Sequence, residues 1–478
     1  MSSFKKEFLS GVFYTSIAKY IGLFVSLLIT FILARLLTPE DFGVIAIAYV
    51  IINFINLLTD FGFGPAIVQT ELDDRDIGSL FSLTTIVGAI AGVIVFFVAT
   101  PISIYYANDA LVGIVRILAL NVLFASLNTV PYALLLKAKR FKSIAIRTLI
   151  TQIGAGIIAV TLAYFGYGVY SLAVQSIIGV ILGFAFNYYC APIKVGIPVY
   201  KNTVRKVFSF SIYQFLASVF HFFTKDIDKP IVGRFFNMQL LGYYEKSYRL
   251  MQLPVGNLSS VFAPVMQPVF RDFRDNMIEM KNKYGKLLEY MSIVSFPLSV
   301  FLFFEASDLI LLCYGKQWIN AIEPFRMLSF SVGFQILLMT TGPLCQSCGK
   351  VKVMFINNLV EFVIVIASLL VGIYFGSIRT VAIAISIGIL VRFIYVFAVV
   401  QYIVLNTSIF SYIKHFAHGF IVTFLCAVPM FITNTLWICD KSLFRLIIST
   451  LIFVMIILIS MSHYKLISVK TIYNNKQR

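Results

Sequence analysis

Ala34-Arg35-Leu36-Leu37 followed by Phe42-Gly43 returns 199 positions later as Gly233-Arg234-Phe235-Phe236 followed by Leu241-Gly242. The same offset relates Tyr14, Tyr49 and Pro65 to Tyr213, Tyr248 and Pro264. A second block recurs at an offset of 210, where Arg140 and Lys142 match Lys350 and Lys352, and Tyr164-Phe165-Gly166 matches Tyr374-Phe375-Gly376. The chain is therefore an internal duplication with a short insertion between the blocks. In a hydrophobic chain, such repeats are a signature of secondary transporters, whose two similar bundles work about a shared central site.

Composition places the duplication in lipid. Hydrophobic residues make up 60% of the 478 positions and charged residues only 12%, far outside the range of soluble domains. A spanning helix takes about 20 apolar residues. About fourteen stretches qualify, near 11–34, 42–66, 78–100, 111–135, 144–165, 168–190, 207–226, 239–263, 287–305, 320–345, 353–375, 380–403, 413–434 and 443–462. The seventh and eighth are polar enough to escape a hydropathy scan. The expected fold is all-α and membrane-embedded: an N-terminal lobe over 1–200, a C-terminal lobe over 201–405, and two additional helices with a basic tail over 406–478.

Basic residues between the stretches set the orientation. With a cytoplasmic N-terminus, about 24 Lys and Arg fall inside, in clusters such as Lys137–Arg147, Lys194–Lys206 and Arg271–Lys286, against about 8 outside. Both termini are expected in the cytoplasm. The net charge of +17 is mostly this topogenic bias. Short loops between apolar helices offer no folded basic surface for a nucleic acid. The first stretch is too long for a signal peptide and is read as a retained helix. Cys345-x-x-Cys348 has no second pair to complete a metal set, and His415-x-x-His418 is read as a pair of interfacial histidines, so no metal site is expected.

Polar residues inside the helices carry the functional reading. Thr15, Lys19, Gly22, Ser26 and Thr30 share one face of the first helix, and Tyr49, Asn53, Asn56 and Asp60 one face of the second. Their repeat partners behave alike, with Gln214, Ser218, His221, Lys225 and Asp228 on the seventh helix and Glu245, Arg249, Gln252, Gly256 and Ser259 on the eighth. Intramembrane charges are mainly basic: Lys19, Arg116, Lys246, Arg249, Arg326 and Arg392. Each costs about 2.5–3.5 kcal/mol at a helix centre unless it meets water, a partner or an anion. Lys19, Arg249, Arg116 and Lys246 are the expected cavity cations, and Ser26, Asn53, Asn56, Gln214, Ser218 and Gln252 the expected polar lining. A cationic cavity implies an anionic cargo.

The stretch Leu33-Ala34-Arg35-Leu36-Leu37-Thr38-Pro39-Glu40-Asp41-Phe42-Gly43, with Asp60-Phe61-Gly62-Phe63-Gly64 and Ala66-Ile67-Val68-Gln69 beyond it, resembles the opening of bacterial Wzx-type polysaccharide repeat-unit flippases. These belong to the multidrug/oligosaccharidyl-lipid/polysaccharide exporter superfamily. Lys139-Arg140-Phe141-Lys142, Gly166-Tyr167-Gly168-Val169-Tyr170-Ser171-Leu172 and Leu241-Gly242-Tyr243-Tyr244 with Tyr248-Arg249-Leu250 extend the resemblance over about the first 400 residues. It implies two six-helix lobes in a V shape of the MATE/MurJ kind, plus two C-terminal helices, with helices one, two, seven and eight lining the cavity.

The implied cargo is an undecaprenyl-diphosphate-linked glycan moved across a bacterial plasma membrane without covalent chemistry or a cofactor. Other polysaccharide assembly proteins are the expected partners of a monomer. Asp60, Asp228 and Glu245 are the candidates for a coupling proton or sodium ion, and Arg35 and Arg234 for an outer gate or a structural role. A multidrug exporter shares this fold but would favour an acidic cavity. A membrane polymerase or ligase would show a large outer loop or an acidic metal motif, and the outer loops here are short.

Overall fold

The structure, a computed structural model, describes residues 2–194, 196, 201–408, 410–436 and 442–463, with some side chains within 2–14 and 201–217 and those of 264, 410–412, 436 and 442 also left undescribed. The described residues contain helices and no strands. In chain order the α-helices are α1 (Ser2–Leu36), α2 (Pro39–Asp60), α3 (Phe63–Gln69), α4 (Asp74–Tyr106), α5 (Ala110–Lys137), α6 (Phe141–Tyr164), α7 (Tyr170–Cys190), α8 (Lys201–Asp226), α9 (Asp228–Phe235) and α10 (Met238–Arg271). They continue with α11 (Met277–Phe304), α12 (Ala306–Tyr314), α13 (Ile322–Ser329), α14 (Val332–Leu338), α15 (Thr341–Ser347), α16 (Val351–Tyr374), α17 (Ile378–Val399), α18 (Phe410–Leu436) and α19 (Ser442–His463).

Each of the expected stretches holds helix. Among the described residues, eleven helical spans are long and apolar enough to cross a membrane, and a twelfth is a pair, Lys316–Ser329 and Val332–Ser347, bent by 46°. The helix α10, of 34 residues, is not among these spans, as expected of the polar eighth stretch, and α8 runs for 26 residues. The protein is a multi-pass membrane protein. Its outward surface agrees: Phe97, Ile104, Val363 and Phe424 are all exposed, which water would penalise and lipid does not.

Local chemistry explains the helix starts and turns. Thr38 accepts from the Asp41 amide at 3.2 Å while its own amide donates to Asp41 Oδ2 at 2.9 Å, a reciprocal capping box with Pro39 in the first turn. Asp73 accepts from the Asp76 amide at 2.7 Å to open α4. Gly166 and Gly376, related by the second repeat offset, turn the chain at φ 82° and 71°.

By internal packing the chain forms two units, Met1–Gly242 and Tyr243–Arg478. In the first, α5 is central, packed by α2, α4 and α7, with α1 on α6. Residues Phe63, Ile67, Leu80, Val130 and Val207 form part of its buried cluster. Both α8 and α9 pack on elements of this unit, α2 and α4 among them, although sequence reading opens the second lobe at residue 201. In the second unit α11 packs against α14 and α18, α16 lies on α17, and α19 lies on α18.

The duplicated glycines meet at a close approach inside the first unit. A Cβ on Gly43 would stand 1.7 Å from the Met238 carbonyl oxygen, and one on Gly242 would stand 1.8 Å from that of Pro39. Positions 39 and 43 are the repeat equivalents of 238 and 242. The contact is thus reciprocal in repeat register, as a two-fold contact between like surfaces must be, and only residues without a Cβ permit it.

Candidate functional site

The polar stripes divide once side chains are placed. On α1, Lys19 is exposed and Ser26 and Thr30 are half-buried. Gly22 is buried against α6, where a Cβ would stand 2.6 Å from Gln152 Oε1. Part of that stripe therefore packs helices, a common use of small residues in membranes, and part is open. Arg35 is exposed at the end of α1.

On α2 the division is sharper. Asn53 is exposed, whereas Asn56 donates to Asn121 Oδ1 on α5 at 3.2 Å, and Asn121 donates in turn to Ser176 Oγ on α7 at 2.9 Å. Tyr49 donates to the Leu172 carbonyl at 2.9 Å. Tyr49 and Asn56 thus bind the lobe to itself in this arrangement. Asp60 sits at a helix break, followed by Phe61 and Gly62 at φ 43° and 77°. Its carboxylate lies beside α3, where a Cβ on Gly64 would stand 3.8 Å from Asp60 Oδ1.

The remaining first-unit residues are held locally. Arg116 is exposed on α5, with its guanidinium 4.9 Å from the Phe96 ring centre and donating to Thr100 Oγ1 at 3.3 Å. Both partners lie toward the end of α4, so Arg116 snorkels along its neighbour. Arg234 lies 5.1 Å from the Tyr105 ring centre. Asp228 is buried in the first turn of α9 and accepts from the Lys229 amide at 2.9 Å. Ser218 is half-buried on α8, and the Gln214 side chain lies outside the described residues.

In the second unit, Arg249 is exposed and Glu245, one turn before it on α10, is half-buried. Lys246 is 2% exposed, with its ammonium 6.0 Å from the Tyr314 ring centre. Sequence reading makes Lys246 a cavity cation; in the structure its side chain is buried beside Tyr314. Gln252 donates to Tyr248 Oη at 3.1 Å and to Gln335 Oε1 at 2.9 Å, and Gln335 donates to Ser331 Oγ at 2.9 Å. This is a polar ladder from α10 to α14.

Among the expected cations, Lys19, Arg116 and Arg249 are exposed, Arg116 beside the Phe96 ring, and Lys246 is buried beside Tyr314. Sequence reading missed several polar meetings in the second unit. Arg392 pairs with Glu361, Arg445 pairs with Asp308, and His418 Nδ1 lies 2.7 Å from Glu289 Oε1 with His415 nearby. Partners separated by up to 137 positions leave no local pattern. Among the described residues no group of three His, Cys, Asp or Glu could hold a metal ion. Cys345 and Cys348 are free, and burial pushes the Cys348 thiol up.

With this geometry in hand, residues 32–323 match a family described as polysaccharide biosynthesis protein. The chain belongs to that family. Among its relatives, the teichuronic acid biosynthesis protein TuaB of Bacillus subtilis is 23% identical over 433 residues, covering 88% of each chain. The lipopolysaccharide biosynthesis protein WzxC of Escherichia coli is 23% identical, covering 77% of this chain and 76% of its own. Among solved structures, the lipid II flippase MurJ in an inward closed conformation superposes with a TM-score of 0.74 at 16% identity, covering 98% of this chain and 100% of that one. The chain therefore has a fold like that of MurJ over 98% of its length.

Proposed function

We propose that this family member is a flippase: it moves a polyprenyl-diphosphate-linked oligosaccharide repeat unit from the cytoplasmic to the outer face of a bacterial plasma membrane for surface polysaccharide assembly. The observation that carries the reading is a polysaccharide-biosynthesis chain with the fold of a lipid-linked-glycan flippase over 98% of its length. Both termini lie in the cytoplasm in this reading, following the basic bias of the loops. The two repeat lobes alternate access, the diphosphate is neutralised by exposed stripe cations, and the polyprenyl chain stays in lipid.

Lys19 and Arg249 are the cations this reading assigns to the cargo. A diphosphate taken from water into a low-dielectric cleft loses its hydration, and charge-assisted hydrogen bonds replace it. Arg249 offers a planar fork and Lys19 a point charge, so Arg249 grips two phosphate oxygens where Lys19 balances charge. No bond is made or broken, and no cofactor is required. A proton, a sodium ion or the membrane potential drives the cycle. Asp60, Asp228 and Glu245 are the coupling candidates.

The test is export in a bacterial strain lacking its own repeat-unit flippase, comparing the wild-type chain with Lys19→Ala and Arg249→Ala at equal membrane abundance. Surface polysaccharide restored by the wild type and lost in both variants supports the reading. Restoration indifferent to both keeps the flippase and removes the assigned site. No restoration with any donor glycan, together with raised drug resistance, points to the multidrug exporter.

A further inference from the structure

A cluster of charge in the second unit lies apart from every stripe. Glu305 follows the last residue of α11 and Asp308 is in the first turn of α12; their side chains belong to residues 1% and 2% exposed. Arg445 of α19 grips Asp308 with both arms of its fork, Nε to Oδ2 at 2.7 Å and Nη2 to Oδ1 at 2.5 Å. Asp308 is thereby satisfied as a carboxylate.

Glu305 is treated differently. Its Oε1 has only Asn434 of α18, at 3.5 Å, and its Oε2 is buried with no hydrogen-bond partner. Besides Asp308, Arg445 and Asn434, the polar side chain beside it is Ser449 of α19. The Ser449 hydroxyl donates to the Arg445 carbonyl at 2.9 Å, within its own helix. A carboxylate, which only accepts, is left short of donors here, whereas a neutral acid carries no charge to compensate.

We infer that Glu305 is a proton-binding site, its carboxyl held as the neutral acid where α18 and α19 close over α11 and α12. Two ionised carboxylates would share one guanidinium already committed to Asp308, and the second would be left buried without compensation, the costliest arrangement for a charge. A metal cation fits worse. It needs several oxygen ligands, and here both Asp308 oxygens are occupied and Asn434 presents its NH2 group. The ligand is therefore the proton, and its uptake governs how α18 and α19 seat on the rest of their unit. This site is independent of the cargo reading.

The experiment is infrared spectroscopy of the full chain in lipid vesicles at about pH 7, where a free glutamate with pKa about 4.3 is ionised. Wild type is expected to show the carbonyl stretch of a protonated carboxyl, and Glu305→Gln to lose it. Identical spectra from the two, or no such stretch in wild type, would overturn the assignment. So would loss of the wild-type stretch on adding sodium chloride at constant pH, which would make the site one for a metal cation. If Glu305→Gln does not accumulate, Glu305→Asp serves: a moved stretch supports the site and an unmoved one sinks it.

Discussion

Asn56 and Lys246 show how a residue's role turns on its neighbours. Each lies on a polar face by spacing, yet Asn56 spends its amide on Asn121 and Lys246 is enclosed beside Tyr314. Asn121 is 4% exposed and serves both Asn56 and Ser176. Asn121→Ala leaves two polar groups short of a partner, so a loss of about 1–3 kcal/mol is expected, read as a lowered unfolding midpoint in detergent. Lys246 and Arg249 are expected to separate by function. Lys246→Met keeps glycan export near wild type at equal abundance, whereas Arg249→Ala lowers it by about ten-fold or more, equivalent to ~1.4 kcal/mol. Equal losses in both would return Lys246 to the cargo site.

At the scale of elements, much was legible because the signals are local. The Thr38-Pro39-Glu40-Asp41 start is the capping box that sequence reading expects, since a cap needs only side chains within three residues. Glycine turns at Gly166 and Gly376 follow the repeat for the same reason. The role of Gly43 and Gly242 was not legible. Their recurrence marks the duplication, but only the fold shows each pressed on the carbonyl of the other's helix start. Gly43→Ala and Gly242→Ala are both expected to lower membrane abundance several-fold, with Gly256→Ala, open on all sides, as the silent control. Equal abundance of all three would mean that the helices separate at no cost.

Over the whole molecule, α18 and α19 looked generic in sequence, and tertiary structure gives them a charged anchor. Arg445 reaches across 137 positions to Asp308, whose side chain is 3% exposed. Removing one partner of a buried pair strands the other, at a cost of about 3–5 kcal/mol. Arg445→Ala is therefore expected to lower the unfolding midpoint in detergent, and Arg445→Ala with Asp308→Asn to recover most of that loss. No recovery would place the loss in packing.

From the sequence alone came the membrane class, the duplication, the fourteen helical stretches and the polarity of the seventh and eighth. Hydropathy, repeat spacing and capping are written in neighbouring residues, so no partner need be known. The tertiary structure alone decided which stripe residues are open and which are spent inside a lobe, where α8 packs, and which acids find a base. Periodicity selects a face of a helix, but whether that face meets water, lipid or a hydrogen-bond partner depends on residues tens to hundreds of positions away.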